Sequence, residues 1–353
     1  MGRIMPMQRA ALIVLSCGCT LAARDQVGTI DFYGYKGINA QAVRRALPFH
    51  TGDPYAAQIL TQARETVQQI VGRPATDVEA LCCDRNGDRS IFIGLPGASS
   101  KPFPYNPVPN GAVRLPQELW NLQKQIEMAL NAAVSAGQSG EDDSEGYALS
   151  EDPESRALEL KLRAYVLEHE EEVYAVLESS SDNEHREYAA NALGYGRQSG
   201  KQIAALLRAS SDANDGVRDE AVRALGCLAH KPEMRKLIMP DLFVSVMNSG
   251  IWSDRNKASS ALMTLTESRD PKLLTRLRAE ALDSIIEMAR WKDLGHAHPG
   301  VMIFAHLAGA SVDKVLDASR VSDQALLDAA RPIIRESSRG KTVGCQRPTV
   351  HAT

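Results

Sequence analysis

Aromatic side chains are scarce in this chain: Phe, Trp and Tyr together make up 5% of it. The packed faces of a β-sandwich are therefore not expected, and the many Ala and Leu residues favour helices instead. Cysteine is sparse too. Of six cysteines, Cys17 and Cys19 stand near the start and leave Cys82, Cys83, Cys227 and Cys345, too few for a disulfide-built scaffold. Cys82 and Cys83 are adjacent in an expected strand, so they point to opposite faces and would not readily bond each other; all four are read as small apolar residues. No Cys-x-x-Cys or Cys/His spacing suits zinc. A formal net charge of −4 supplies no basic field for nucleic acid. The chain has no Gly-x-Ser-x-Gly elbow, no phosphate-binding glycine loop and no His-Glu-x-x-His, so no cofactor is implied and no catalytic residue is marked. Catalysis is not thereby excluded, because a triad is recognised by geometry rather than by order in the chain.

What the chain does contain is one pattern written three times between residues 181 and 265. Arg186-Glu-Tyr-Ala189-Ala-Asn-Ala192-Leu193-Gly194 is echoed by Arg218-Asp-Glu-Ala221-Val-Arg-Ala224-Leu225-Gly226, and more loosely by Arg255-Asn-Lys-Ala258-Ser-Ser-Ala261-Leu262-Met263. The arginines stand 32 and 37 positions apart, enough for two short helices and their turns. Within each copy the alanines at i and i+3 and the leucine at i+4 share one helical face, where small residues let a neighbouring helix approach closely. A second apolar helix follows each copy, carrying Ile203, Leu206 and Leu207, then Leu242, Phe243, Val246 and Met247, then Leu274, Leu277, Leu282, Ile285 and Ile286. Polar turns separate them, with Asp270 a candidate N-cap and Pro271 at the first helical position.

Paired helices with an Arg-x-x-Ala-x-x-Ala-Leu-Gly core resemble HEAT repeats, which build superhelical binding scaffolds. The spacing is shorter than the family's usual period of roughly 40–47 residues and looks more like the lyase-type variety. Ala305-His-Leu-Ala308-Gly309 reads as a degenerate fourth copy. The resemblance implies that Arg186, Arg218 and Arg255 support packing between repeats rather than touching a ligand.

At 353 residues the chain has room for two or three domains. Residues 1–23 have the layout of a secretory signal: Arg3 and Arg9, a short apolar run at 10–15 that cannot span a bilayer, then small residues. Val14-Leu15-Ser16-Cys17 resembles a bacterial lipobox, which makes Cys17 a lipidation candidate; lipoprotein and freely secreted protein are the two main readings, with an uncleaved apolar start as the alternative. Residues 26–97 change period. A strand through Ile30 and Phe32 is followed by two helices, the second with Ile59, Leu60, Ala63, Val67 and Ile70, and by two strands joined through Asn86-Gly87, a hairpin signal. The order is β-α-α-β-β.

That order, with Gly34 after the first strand and Gly52-Asp53-Pro54-Tyr55 between the helices, resembles a POTRA domain, which implies docking of a peptide or partner by strand addition. The departure is that no barrel-like alternation follows. The alternative is a small α+β module that caps the helical array. Residues 98–112, with four prolines, read as a linker; 113–150 as an amphipathic helix and an acidic flexible break; 151–335 as the repeat domain; 336–353 as a disordered tail. The fold class expected is therefore mainly α, a HEAT-like solenoid preceded by a POTRA-like α+β domain.

Two stretches could carry chemistry. His296 and His298, with His306 further on and Asp293 before them, could bind zinc, although with Gly295, Pro299 and Gly300 around them an ordinary inter-helix loop is the preferred reading of the stretch. Asp84, Asn86 and Asp88 alternate as calcium ligands would, but an EF-hand wants glycine where Arg89 stands and glutamate where Leu95 stands. The expected function is a non-catalytic scaffold of the cell envelope that binds another protein or peptide, with membrane contact only through a lipid anchor. The alternatives are a lyase-like maturation factor or a metal-dependent enzyme using His296 and His298.

Overall fold

The structure is a computed structural model and describes residues 26–328, apart from 83, 85, 139, 323 and 327. The expected signal segment with Cys17 and Cys19, the tail at 336–353, Cys83 and Cys345 lie outside the described residues. The chain is mainly helical with a small sheet.

The first elements are β1 (Val27–Tyr33), α1 (Ala40–Ala46), α2 (Gln58–Val71), β2 (Asp77–Leu81) and β3 (Arg89–Gly94). Local chemistry sets their ends. The Asn39 side chain accepts from the Ala42 amide to start α1, and α2 stops at Gly72, whose φ of 75° is open to glycine at no cost. One oxygen of the Asp84 carboxylate accepts from the amides of Asn86 and Asp88, which ties the acidic turn to its own backbone. In the sheet β3 lies centrally, parallel to β1 and antiparallel to β2.

Alternation along β1 and β3 gives the sheet two faces, and both are buried. Ile30, Phe32, Ile91, Ile93 and Leu95 pack with Val43, Ile59, Ala63 and Val67 of α1 and α2. The opposite face, through Tyr33 and Phe92, joins the core of the helical body, where Phe92 meets Trp252 and Trp291 at ring distances of 5.3 and 4.9 Å.

From the sheet the chain crosses the helical body before any long helix begins. Lys101 bridges to Ser249, the Asn106 amide donates to the Ser211 carbonyl at 2.6 Å, and Gly111 bridges to Ser180. The proline-rich 98–112 segment is thus a strap pinned at three successive turns rather than a free linker. Its prolines suit this, because an extended chain with few donors can lie along turns without leaving many amides unpaired. The strap runs opposite to the order of those turns and delivers the chain to α3 (Gln117–Ser135). Next come β4 (Glu141–Asp142) and β5 (Leu149–Ser150), an antiparallel pair where a flexible break was expected. Arg223 pairs with Glu141 and Lys231 lies 3.2 Å from Glu145, so opposite charge holds the acidic stretch in place, and His230 lies 3.2 Å from Asp143 between them.

The remaining helices are α4 (Pro153–Ser179), α5 (Asn183–Gly194), α6 (Gly200–Ala209), α7 (Asp215–Leu228), α8 (Pro232–Arg235), α9 (Pro240–Val246), α10 (Trp252–Thr266), α11 (Pro271–Glu280), α12 (Leu282–Ala289), α13 (Leu294–Ala308) and α14 (Val312–Val321). Non-helical dihedrals at His169 kink α4, so Glu170, Glu171 and Glu172 open its second half, where the helix dipole favours negative charge. The three pattern-bearing helices pack in series, α5 on α7 and α7 on α10, and α13 with the fourth copy packs on α10. The pattern explains how: a Cβ on Gly194 would sit 3.1 Å from the Ala224 Cβ, and one on Gly226 would sit 3.6 Å from Ala261. Small residues set the helix separation at these crossings.

Each pattern arginine reaches forward to a carboxylate of the following helix pair. Arg186 binds both oxygens of Asp212 at 2.9 and 2.8 Å, Arg218 both oxygens of Asp254 at 2.8 and 3.2 Å, and Arg255 binds Glu287 at 3.1 Å. The same arginines donate backwards to the carbonyls of Ser180, Asp212 and Ser249, the turns that the strap follows. The Arg218 and Asp254 side chains are 3% and 1% exposed, so each charge depends on the other. Replacing Arg218 by Ala should cost about 3–5 kcal/mol by stranding Asp254, and lysine should recover only part of that because it lacks the two-pronged donor. Urea denaturation of the two variants would measure the difference; a loss under about 1 kcal/mol in R218A would show that the pair carries little stability.

Candidate functional site

Glu287 of α12 is the point where sheet, strap and helices meet. Its carboxylate accepts from the amides of Gly34 and Tyr35 at 2.7 and 2.9 Å, from the Ser99 hydroxyl at 2.5 Å and from Arg255. Arg255 in turn donates to the carbonyl of Ser99 and lies 5.0 Å from the Tyr33 ring. Beside it, the Asp31 carboxylate accepts from the amides of Lys292 and Asp293 at 2.9 and 3.1 Å, and burial pushes its pKa up. Ser90 donates to Asp293 at 2.5 Å and the Trp291 indole donates to the Phe32 carbonyl at 3.0 Å. Every one of these groups is spent on holding the sheet to the helices.

The histidines of the metal reading do not converge. His296 and His298 lie within the first turns of α13, not in a loop, and at 200° of helical rotation they leave on different sides, while His306 is in the last turn. His296 packs edge-on against Phe92 and Trp252, and burial lowers its pKa; His298 is exposed; His306 shares a hydrogen bond with Thr266 at 2.9 Å. Asp293 caps the helix, accepting from the amides of Gly295 and His296. Among the described residues no group of three or more His, Cys, Asp or Glu side chains is placed to hold a metal. Cys82 is disulfide-bonded, which corrects its reading as a small apolar residue, whereas Cys227 is free and buried.

The sheet edges are not equally open to an added strand. Along β1, the Ile30 carbonyl accepts from Arg44, the Phe32 carbonyl from Trp291, and Val27 exchanges backbone bonds with Gly52 and Asp53. That edge is sealed. At β2 the Val78 carbonyl accepts from Arg64 at 3.0 Å, leaving a short edge on this side.

Carboxylates crowd where α5 and α7 meet. Burial pushes Glu187 up to about 7, with Glu220, Asp219 and Asp215 adding to the shift. Burial likewise pushes Asp219 up to about 6, although Lys257 at 3.5 Å opposes it. Glu79 of β2 is pushed up to about 7 by burial and by Asp77, and it also feels Asp215. The sequence analysis did not single out this face; the available signal was the acid that directly follows the arginine in two copies, Glu187 after Arg186 and Asp219 after Arg218.

No protein-family model matches the chain, and no curated protein matches it. Among solved structures, an engineered protein aligns at 16% identity, covering 62% of this chain and 97% of that one with a TM-score of 0.35. The complex of CpcE and CpcF of phycocyanin lyase from Nostoc sp. PCC7120 aligns at 14% identity, covering 65% and 98%, with a TM-score of 0.20. Overlaps this loose assign neither family nor activity.

The raised Glu187 carboxyl makes a stability prediction. Its folded pKa of about 7 exceeds the ordinary 4.5, so its favourable contribution is complete below pH 4.5 and is lost as pH rises through 7. Glu187→Gln should therefore be more stable than the parent at about pH 8, by about 1 kcal/mol once solvent screening is allowed for, with the gap closing near pH 4.5. Denaturant titrations at the two pH values test it; a variant no more stable at the higher pH overturns the sign.

Proposed function

We propose that this chain is a non-catalytic protein-binding scaffold of the bacterial cell envelope, a short HEAT-like solenoid with a POTRA-like module packed against its later repeats. The observation that carries the reading is the crowd of carboxylates across α5 and α7, at Glu187, Asp215, Asp219 and Glu220, on the same helices that the buried arginines lock together. A rigid stack that holds like charges together presents a fixed field, and a basic segment of another protein relieves their repulsion on binding. Charge complementarity of this kind sets association rate and partner choice more than raw affinity. Strand addition is left to the β2 edge, where Glu79 extends the same negative field. Export rests on the layout of residues 1–23, with Cys17 as the anchor. Among the described residues no helix is long and apolar enough to cross a membrane.

The test is a crosslinking capture from the native envelope with the parent chain and with a Glu187→Gln, Glu220→Gln variant. A partner enriched by the parent and lost with the variant supports the reading. Equal enrichment moves the contact elsewhere, and no partner in either sinks the scaffold function. Replacing Cys17 by Ala should shift the chain from the membrane fraction to the soluble one; an unchanged distribution removes the lipid anchor.

A further inference from the structure

Where the strap ends, between Gly111 and the first turn of α3, the buried amide of Leu115 finds its acceptor in a side chain: it donates to Nδ1 of His185 on α5 at 3.0 Å. His185 is 6% exposed, and its ring lies against the Trp120 ring at a centroid distance of 4.4 Å. On the other side of the ring, Nη1 of Arg114 stands 2.9 Å from Nε2. Both ring nitrogens therefore face donors, although a neutral imidazole has one lone pair to offer. The Leu115 amide takes that lone pair, which places the proton of the neutral ring on Nε2. Arg114 has its own acceptor in Asp182, at 3.0 Å.

A second proton does not fit this arrangement. On Nδ1 it would meet the Leu115 N–H, leave a buried amide without an acceptor and put an imidazolium beside a guanidinium. Burial is the largest influence on the ring and lowers its pKa; Asp182, the cap of α5, raises it, Arg114 lowers it and Glu184 raises it. From α3, Lys124 faces the same cluster, bonded to Glu184 at 2.6 Å and to Glu127 at 3.3 Å, and Glu127 accepts from the Tyr188 hydroxyl at 2.7 Å. Asp182 and Glu184 are the carboxylates to which an imidazolium would turn.

We propose that His185 is a pH-sensitive latch on the end of the strap: the neutral ring holds Leu115 and the start of α3 on α5, and a proton taken up in mildly acid conditions turns the ring out and frees residues 111–120. The opening uncovers the turn before α5, where the Ser179 carbonyl and the Ser181 amide now pair with the backbone of Gly111 at 2.8 Å each. The other pinned points, Lys101 on Ser249 and Asn106 on Ser211, are backbone contacts without a histidine, so the opening is confined to one end of the strap. The latch does not rest on the acidic face of α5 and α7 or on the scaffold reading.

The test is hydrogen exchange of the full chain between about pH 7.5 and 5.5, corrected for the intrinsic pH dependence of amide exchange. Opening of residues 111–120 is expected to be flat above pH 6.5, the ordinary value for histidine, and to rise by up to about tenfold per pH unit below it until the lowered pKa of the folded ring is reached. His185→Asn keeps an acceptor near the position of Nδ1 but does not titrate, and is expected to hold the segment closed throughout. Glu187 on the same helix titrates in this range with the opposite sense and is present in both chains, so the difference between them belongs to His185. An NMR titration of the parent chain decides the matter if His185→Asn is open at every pH: the proton is expected on Nε2 at neutral pH, and the Leu115 amide shift is expected to follow the titration of the ring. Exchange at 111–120 that ignores pH, an equal pH response in His185→Asn, loosening of α7 and α10 together with the strap, or a ring that titrates without moving the Leu115 amide overturns the latch.

Discussion

The contact on which the architecture depends is the buried pair of Arg255 and Glu287. Alone, either charge in that position would be strongly destabilising, because no water reaches it. Together they are satisfied in full: the guanidinium by the carbonyls of Ser249 and Ser99, the carboxylate by two amides at the end of β1 and the Ser99 hydroxyl. One ion pair therefore ties α10 to α12, the strap to both, and the sheet to all three. The pairs of Arg186 with Asp212 and Arg218 with Asp254 repeat the same device without the sheet. Three copies of one interaction set the spacing of the stack, and the last copy receives the α+β unit.

The path of the chain follows from that arrangement. The sheet forms first in sequence but docks on α10, α12 and α13, late in sequence, and the strap must then travel back to where α3 and α4 begin. Gly111 lies close enough to Ser179 that a Cβ there would fall 2.5 Å from its carbonyl oxygen, so the strap is seated tightly where it ends. Because Tyr33 and Phe92 belong to the helical core, the α+β unit and the helices share buried surface rather than meeting at a flexible joint. Contacts this distant in sequence are slow to form, since loop closure must precede their reward.

Charge is distributed unevenly over this frame. Acids gather where α5 meets α7, whereas a cleft beside α12 mixes four cations with three carboxylates. Both places are partly desolvated, which strengthens each field and shifts the groups within it. A net charge of −4 conceals this contrast, because composition sums over faces that a ligand would meet separately.

Legible in the sequence were the helical character, the repeat of Arg, Ala and Leu at helical spacing, the helix cap at Asp270 and the β-α-α-β-β order. These are local properties: periodicity of 3.6 or 2, turn residues and capping oxygens act within a few positions. Tertiary structure alone decided what the polar residues do. Asp31 and Ser90 alternate with apolar neighbours along their strands, and they are buried because the helical body covers that side of the sheet. The proline-rich segment read as a linker, and became a strap because the turns it crosses offer their carbonyls and amides. His296 and His298 stood in an expected inter-helix loop, with a ligand pair as the alternative, and the helix that forms there turns them apart. The pairing of each arginine with a carboxylate some 26 to 36 residues away could not be read either, since a buried charge chooses its partner by proximity in the folded chain.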